Sequence, residues 1–436
     1  MTVDLLPAGG PEGQQGSVEL LRFLSQLGHA LLATGDTVAY VETTLNRIAR
    51  AQGAAHVNVV ALPTALFVKF EDGDNTLVDF TSEEILTLRF DQIAEVFVLA
   101  EDAEHRAITP REGLARLRSL LVKPPLYSAL WGVLGHALVT VGLALILQPS
   151  PGVVGAAAFF GSIVGALKVF ARNRGIVSTL LPSIAAFVVA SISLLAVKQG
   201  FPASPMPVLV ASLVTFLPGA TLAISIMELA YGDVVSGGSR FVTGIAQLLF
   251  LALGMLVATS LVGLPAAQLL PPTPGESFGW LATWIGVALF ALGHALHFSM
   301  PLAQLPWLLM VLGVAQIAQI AGGAAFGGYM GGFCGALAMT PFSYFVQYRL
   351  HGPPAVVTFP PGLWLLVPGS LGLIGLTEFV ASDKLAGIDN FMTTVLTITA
   401  IALGSMLGAG LYSAFVDPLL VRAGSLAQFV TKWTKR

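Results

Sequence analysis

The pattern of apolar and polar residues divides the chain near residue 124. Before it, apolar residues recur at helical spacing or alternate, as in a soluble domain that buries one side of each element. After it, apolar runs follow one another, each near the roughly 20 residues that a helix needs to cross a bilayer. We count ten spans, at 128–147, 153–171, 178–197, 206–227, 241–262, 279–298, 302–321, 325–346, 361–380 and 391–412. The pattern therefore predicts an all-α polytopic membrane domain behind a small α+β soluble domain.

The helices of the soluble domain are predicted from their amphipathic periods and their end signals. We expect helices at 17–34, 38–52 and 111–121. Gly35 interrupts the apolar period between the first two, and Thr37 or the aspartate before it can cap the second. The third leads into the membrane domain.

Two strands are expected in the same domain. Residues 56–70 have the β-branched content of a strand, and 76–80 alternate as a return strand after an acidic turn. The first 16 residues are rich in proline and glycine and lack the basic and apolar regions of a signal peptide. The predicted domains are a disordered tail at 1–16, the soluble domain at 17–123, two five-helix membrane halves at 124–265 and 266–413, and a tail at 414–436.

One string of residues occurs twice, 150 positions apart. Pro218-Gly219 leads to Glu228 by the same spacing that separates Pro368-Gly369 from Glu378. The register continues without a gap through the pairs Asp233/Asp383, Gly237/Gly387, Phe241/Phe391, Thr243/Thr393 and Gly254/Gly404. Apolar segments share some residues by composition alone, but a matched Pro-Gly with two acids exceeds that. The chain therefore carries an internal duplication.

Charge predicts the orientation of the spans. Only 10% of the residues are charged, and most of the charge precedes residue 125. With the N-terminus in the cytoplasm, the outside receives only Lys198 and Lys384, as the preference of basic residues for the cytoplasmic side requires. The inside receives Arg116, Arg118, Lys123, Lys168, Arg172, Arg174, Arg240, Arg349, Arg422, Lys432, Lys435 and Arg436. We predict that both termini are cytoplasmic and that the cell (inner) membrane is the location.

An odd number of spans per half inverts the second half relative to the first. Five spans in each half therefore make the duplication an inverted-topology repeat, the architecture of many secondary transporters. The net charge of −3 gives no sign of a nucleic-acid partner, and the single cysteine, Cys334, excludes an internal disulfide.

Two groups of motifs resemble the threonine/serine exporter family. The first is the run from His29 through Gly35 and Glu42 to Gly53, followed by Pro63 in Ala61-Leu-Pro-Thr64. The second is Pro218-Gly219 with Glu228 and Ser236-Gly237, and the second half fits from Ala325 through Pro353-Pro354 to Ser370. Many members carry Asp where this chain has Glu228 and Asn where it has Ile224. Glutamate there resembles the branch that includes fungal pheromone-regulated membrane proteins, and the resemblance covers about residues 20–412.

The two Pro-Gly pairs are the predicted substrate-binding breaks. Proline removes a backbone donor and glycine loosens the next turn, so each pair can end one half-helix and point the next into a cavity. Pro218, Gly219, Pro368 and Gly369 are the candidates, together with Gln316, a polar residue within a span. An ordinary kink is the alternative for the breaks, and helix–helix hydrogen bonding is the alternative for Gln316.

Acids and histidines are candidates for proton chemistry. Glu228 and Glu378 lie at span margins, where they can couple protons or gate, or simply be hydrated at the interface. His136, His294 and His297 lie in or beside spans, where packing is the commoner role of a lone histidine. In the soluble domain, His29 and Glu42 could form an acid–base pair, but no nucleophile, metal-ligand or phosphate-binding motif accompanies them.

The sequence thus predicts a non-enzymatic secondary transporter without metal or cofactor. The resemblance implies export of threonine- or serine-like amino acids, and proton antiport by alternating access is the expected drive. Its partners would be small amino acids, protons and the bilayer, and homo-oligomerisation stays open. A channel-like pore for small solutes, and a membrane-anchored enzyme or sensor acting through the N-terminal domain, are the alternatives.

Overall fold

The computed structural model describes residues 11–416 except 55, 73–74, 82–87, 148–149, 173, 201–204, 266–268, 270–277, 328, 367–372 and 375–383. Its contacts separate two units. The N-terminal unit comprises Met1–Pro125 with Glu228–Ser236, and the membrane unit comprises Leu126–Met227 with Gly237–Arg436.

The N-terminal unit packs four helices with a three-stranded antiparallel sheet of order β1-β2-β3. Its elements are α1 (Pro11–Ala33), α2 (Val38–Ala51), β1 (Val57–Leu62), β2 (Ala65–Asp72), β3 (Asn75–Thr81), α3 (Phe90–Glu104) and α4 (Pro110–Leu121). The apolar stripe of α1 supplies much of the core, which includes the fully buried residues Phe23, Leu24, Leu27, Leu31, Leu45, Ile48, Leu66 and Leu99.

The predicted helix boundaries of this unit are confirmed at the glycine and the cap. Gly35 has φ +84°, a left-handed value that favours glycine, and it separates α1 from α2. The Thr37 side chain accepts a hydrogen bond from the Tyr40 amide and caps α2.

The single strand predicted at 56–70 is wrong. The segment forms two strands, β1 and β2, which are joined by a turn at Pro63 and Thr64 and pair with each other from Leu62 and Ala65 outward. Proline has no amide hydrogen for a ladder, so a tight turn there costs no strand hydrogen bond. The β-branched content was read correctly, but the turn inside it was missed.

The membrane unit is built from long apolar helices. Its elements are α5 (Ala129–Leu147), α6 (Pro151–Ala171), α7 (Gly175–Lys198), α8 (Pro205–Ser212), a 3₁₀ turn (Val214–Phe216), α9 (Gly219–Tyr231), α10 (Val234–Val262), α11 (Leu281–His297), α12 (Leu305–Phe326), α13 (Met330–Arg349), α14 (Ala355–Leu365) and α15 (Lys384–Leu411). The end of α9 and the start of α10 belong to the N-terminal unit.

Seven helical stretches of the described residues are long and apolar enough to cross a membrane, by length and composition. They are Ala129–Leu147, Pro151–Ala171, Gly175–Lys198, Val214–Tyr231, Val234–Val262, Leu302–Phe326 and Phe391–Ala414. Helices α11 and α14 are apolar but shorter. The multi-pass class is therefore observed, and the count of ten spans stays a prediction.

The predicted break between the seventh and eighth spans lies elsewhere. Gly322 and Gly323 continue α12, which ends at Phe326, and the chain turns at Gly327 with φ +75°. A Cβ at Gly322 would lie 2.5 Å from the Cβ of Cys334 on α13. This glycine therefore serves a close crossing of two helices, which small residues permit, rather than a turn.

Helices α5 and α11 cross at four glycines. A Cβ at Gly293 would lie 2.6 Å from the carbonyl oxygen of Gly135, and a Cβ at Gly286 would lie 2.7 Å from that of Gly142. Increasing residue numbers on α5 meet decreasing numbers on α11, so the two helices are antiparallel. The backbones approach this closely because no side chain intervenes.

A second crossing occurs twice with the spacing of the sequence repeat. A Cβ at Gly254 would meet the carbonyl oxygen of Ser183 and lie 3.1 Å from the Cβ of Ala186. A Cβ at Gly404 would meet the carbonyl oxygen of Phe333, and would lie 3.2 Å from the Cβ of the alanine 150 positions after Ala186. The contacts of Gly254 on α10 with α7 therefore recur, 150 positions later, in those of Gly404 on α15 with α13.

Candidate functional site

The first Pro-Gly pair interrupts a helix, as the sequence predicts. Helix α8 ends at Ser212, a 3₁₀ turn follows, and Leu217 is extended with ψ 127° before α9 begins at Gly219. The ring of a proline disfavours the helical conformation of the residue before it, which explains why the helix breaks at Leu217. The Gln247 side-chain amide donates to the Phe216 carbonyl oxygen at 2.8 Å, so a carbonyl released by the break keeps a partner.

The break carries Thr215 into a polar network between helices. The Lys168 Nζ of α6 donates to the Thr215 hydroxyl at 2.9 Å, and it lies 3.0 Å from the His297 Nε2 of α11. The His136 Nε2 of α5 lies 3.1 Å from the same hydroxyl. Four elements of the membrane unit thus meet at this point. We call the four residues Lys168, Thr215, His136 and His297 the Lys168 network.

Backbone carbonyls determine which nitrogen of each histidine carries the proton. The His136 Nδ1 lies 3.0 Å from the Gly161 carbonyl oxygen, and the His297 Nδ1 lies 2.8 Å from that of Gly132. A carbonyl only accepts, so each Nδ1 donates and each Nε2 of a neutral ring is an acceptor. Lys168 therefore donates to His297, and the Thr215 hydroxyl donates to His136.

In the part of the chain that the structure describes, the Lys168 ammonium group contacts neutral groups and forms no salt bridge. Its Nζ lies 5.1 Å from the ring centroid of Phe216 and 5.6 Å from that of Phe298, within the range of cation–π attraction. Lys168, Thr215 and His297 are partly exposed, whereas His136 is fully buried, so the network is open on the lysine side.

An aromatic stack adjoins the network. The buried His294 ring stacks on Phe298 at 5.6 Å and on Trp364 at 5.4 Å, and Phe298 stacks on Trp364 at 5.5 Å. The His294 Nδ1 lies 2.8 Å from the Phe290 carbonyl oxygen, and its Nε2 has no hydrogen-bond partner in the described part of the chain. The stack brings Trp364 of the second half beside a site formed mainly by the first half.

The second predicted break lies outside the described residues, which include none of Pro368, Gly369 and Glu378. Helix α14 ends at Leu365, just before it. Gln316, predicted as a substrate ligand, is buried, and its Oε1 has no hydrogen-bond partner among the residues described. The structure does not place Gln316 in the Lys168 network.

Glu228 contacts the start of α2. Its side chain is fully buried, and its Oε1 accepts a hydrogen bond from the Val38 amide at 3.2 Å. The first amides of a helix have no partner within the helix, and the helix dipole attracts negative charge there. Glu228 therefore stabilises the N-terminus of α2, a contact within the N-terminal unit that separation by 190 residues hides in the sequence.

The N-terminal motif residues support the fold of their unit. The Glu42 Oε1 accepts from the Ala61 amide at 2.8 Å, so α2 holds the edge strand β1. His29 is buried on α1, and its Nε2 has no hydrogen-bond partner in the residues described. His29 and Glu42 form no mutual hydrogen bond there, and Pro63 lies in the turn after β1. The structure therefore gives no support to an acid–base pair.

Sequence reasoning missed Lys168 and Thr215 and gave the histidines a minor role. Lys168 was counted as a basic residue of a cytoplasmic loop, although it lies three residues before the end of the predicted span 153–171. A lysine inside a span is by default a candidate functional residue, and that signal was available. Thr215 had no signal except its place beside Pro218.

The helices and the Lys168 network define a multi-pass membrane protein with a polar site at a helix break. The family model of threonine/serine exporters matches residues 22–262, which include most of the N-terminal unit and helices α5 to α10. The chain belongs to this exporter family. No curated protein and no solved structure matches it.

Proposed function

We propose that the protein is a secondary transporter that exports small amino acids of the threonine or serine type. Membership of the exporter family supports export of a small solute. The observation that carries the proposal is the break at Pro218, which delivers Thr215 to the Lys168 network. Broken helices with polar groups at membrane depth are typical of transporter sites.

We further propose that the two halves form an inverted repeat of five helices each. The antiparallel crossing of α5 and α11, the first helix of each half, supports opposite directions. The matched crossings at Gly254 and Gly404 support equivalent packing inside each half. Basic residues lie mainly at the predicted cytoplasmic ends of successive spans, and this distribution supports an orientation with both termini cytoplasmic. Alternating access between such halves is the expected mechanism.

Proton antiport is the drive we propose, with Glu228 and Glu378 as the coupling or gating acids. The chain has no nucleotide-binding motif that would indicate ATP as the drive. The burial of Glu228 and its hydrogen bond to the start of α2 favour a role in gating, because protonation would weaken the hydrogen bond to the Val38 amide.

The test is flux of labelled L-threonine in proteoliposomes with and without a pH gradient. We expect movement that saturates and that the gradient accelerates, whereas a channel would show neither property. The absence of movement for L-threonine, L-serine and a panel of other small amino acids under both conditions would refute the proposed transport.

The acids are tested in the same vesicles. Glu228→Gln and Glu378→Gln are expected to abolish the response to the pH gradient while the protein still folds. Asp233→Asn, which changes an acid of the segment after α9, is the matched control and should keep the response. Unchanged coupling in both glutamine variants would give these acids structural roles only.

A further inference from the structure

We infer that Lys168 is the residue that binds the carboxylate group of the transported solute. The inference rests on the proposed transport of small amino acids, which carry a carboxylate. It assigns the ligand chemistry to one atom, the Lys168 Nζ, and it is carried by the partners of that atom.

The first argument is that Lys168 has a spare N–H donor and no carboxylate partner among the residues that the structure describes. An ammonium group has three N–H donors, and two of them have acceptors here, the Thr215 hydroxyl and the His297 Nε2. Both acceptors are neutral. No described carboxylate pairs with Lys168, although a charged group among apolar helices normally has such a partner. A bound anion would therefore balance the charge of Lys168, which no described side chain does.

The second argument compares the strengths of the hydrogen bonds that Lys168 can form with His297 and with a carboxylate. A hydrogen bond between an ammonium and a carboxylate is roughly twice as strong as a bond between neutral groups. A solute carboxylate can therefore take the place of His297 on the lysine, while His297 keeps its bond to the Gly132 carbonyl oxygen at 2.8 Å. The partly exposed faces of Lys168 and His297 leave the lysine side open for the exchange.

The third argument concerns size and shape. Phe216 and Phe298 present their rings to the lysine, and Trp364 stacks on Phe298. Such rings suit a short, weakly polar side chain next to the carboxylate, and their electronegative faces offer no partner to a second negative charge. The site therefore favours small monocarboxylates.

The fourth argument connects binding to the helix break. Thr215 lies in the 3₁₀ turn three residues before Pro218, so the lysine is bonded to the least regular part of this span. A carboxylate that engages Lys168 therefore binds the same nitrogen that donates to this turn. Ligand binding and the arrangement of α8 and α9 would then influence each other.

The experiment measures equilibrium binding to the purified full-length protein in detergent. The ligands are L-threonine and L-lactate, and each is compared with its carboxamide, in which an uncharged amide replaces the carboxylate. We expect both acids to bind and both amides to bind at least tenfold more weakly, since hydrogen bonds to charged groups are the stronger ones. Lys168→Gln should raise the Kd of the acids by about ten- to a hundredfold. Lys168→Arg should retain more affinity than the glutamine variant.

Lys198→Gln is the matched control. Lys198 also lies at the end of an apolar helix, but its Nζ donates to the Val262 carbonyl oxygen at 3.0 Å, away from the network. We expect its Kd for L-threonine to stay within about twofold of the native value, a change smaller than one neutral hydrogen bond would cause. Thermal unfolding of each variant checks that it is folded.

The outcomes separate the carboxylate site from the transport proposal. Acid binding that depends on Lys168, in a protein that moves no amino acid in vesicles, would uphold the site and refute the transport. Equal binding of acids and amides, absence of binding by either acid, or native affinity in Lys168→Gln would each overturn the site. The comparison of acids with amides needs no variant, so it tests carboxylate binding even if Lys168→Gln does not fold, and the affinity of Lys168→Arg then tests the role of the lysine.

Discussion

A single methyl group at Gly293 should separate two helices of the membrane unit. In Gly293→Ala the new Cβ would lie 2.5 Å from the Val139 amide nitrogen and 2.6 Å from the Gly135 carbonyl oxygen. Both are backbone atoms, which cannot turn aside as the end of a side chain can. The helices α5 and α11 must therefore move apart.

The size of the effect follows from the distance. Ordinary contact begins at 3.4 Å, so the helices must yield by about 0.9 Å, the difference between 3.4 and 2.5 Å. Overpacking of this kind costs about 1–3 kcal/mol. For a large unit this corresponds to a fall of roughly 2–8 °C in thermal midpoint. The position beside His294 and His297 makes loss of transport a second expected consequence.

The proposed inverted repeat predicts that two equivalent substitutions at this crossing lower the stability by the same amount. Gly142 is the counterpart of Gly293, since a Cβ there would lie 2.5 Å from the Phe290 amide nitrogen and 2.7 Å from the Gly286 carbonyl oxygen. Gly142→Ala should therefore cost about as much as Gly293→Ala. The two changes push apart the same pair of helices, so the double variant should lose less than the sum of both.

The assay is thermal unfolding of the full-length protein in detergent, followed by the remaining monodisperse fraction. Gly313→Ala is the matched control, because nothing lies within 4 Å of a Cβ at Gly313 on α12. Alanine is the better helix former by about 1 kcal/mol, so this variant should be neutral or slightly more stable. Equal midpoints for Gly293→Ala and Gly313→Ala would refute the close crossing, and additive losses would refute the shared interface.

Two further predictions concern the N-terminal unit. Glu228→Ala removes the acceptor of the Val38 amide and should cost about 1 kcal/mol, whereas Glu228→Gln keeps a neutral acceptor oxygen and should cost less; hydrogen exchange at the start of α2, faster in the alanine variant than in the glutamine variant, is the readout. Glu42→Ala leaves the Ala61 amide without its 2.8 Å partner and should lower the thermal midpoint of the unit by a few degrees, which Glu42→Gln should largely spare; equal midpoints in the two variants would argue against the bond.

Local signals in the sequence were sufficient for several helices and for some of their ends. Apolar periodicity located α1, α2 and long apolar helices of the membrane unit, and residue chemistry located the turn at Gly35 and the break at Pro218. Each of these depends on the conformational preference of one residue or on a short period, both of which are visible in a single chain.

The contacts that form the candidate site were not visible in the same way. The Lys168 network joins residues 47 and 129 positions apart, and the bond from Glu228 to Val38 spans 190. No periodicity encodes which carbonyl faces which histidine, because that depends on how the helices cross. The spacing of Gly135 and Gly142, and that of Gly286 and Gly293, is seven residues in both helices, and this equality was the available hint of a shared crossing.

In the proposed transport, the charges of Lys168 and of the acids Glu228 and Glu378 determine which of these groups can exchange solute for protons. A carboxylate binds Lys168 only while the amine holds its proton, so solute and proton occupy that site together, which is the logic of co-transport. Antiport requires the reverse, a group that takes a proton when the solute leaves. An acid meets this requirement, since its ionised form attracts the solute's ammonium group and its neutral form does not. In the proposed antiport, the exchange of solute for protons is therefore assigned to the acids Glu228 and Glu378, and the selection of the solute to Lys168. Because Glu228 also holds the first amide of α2, we expect each proton that it accepts to loosen the N-terminal unit at that helix end.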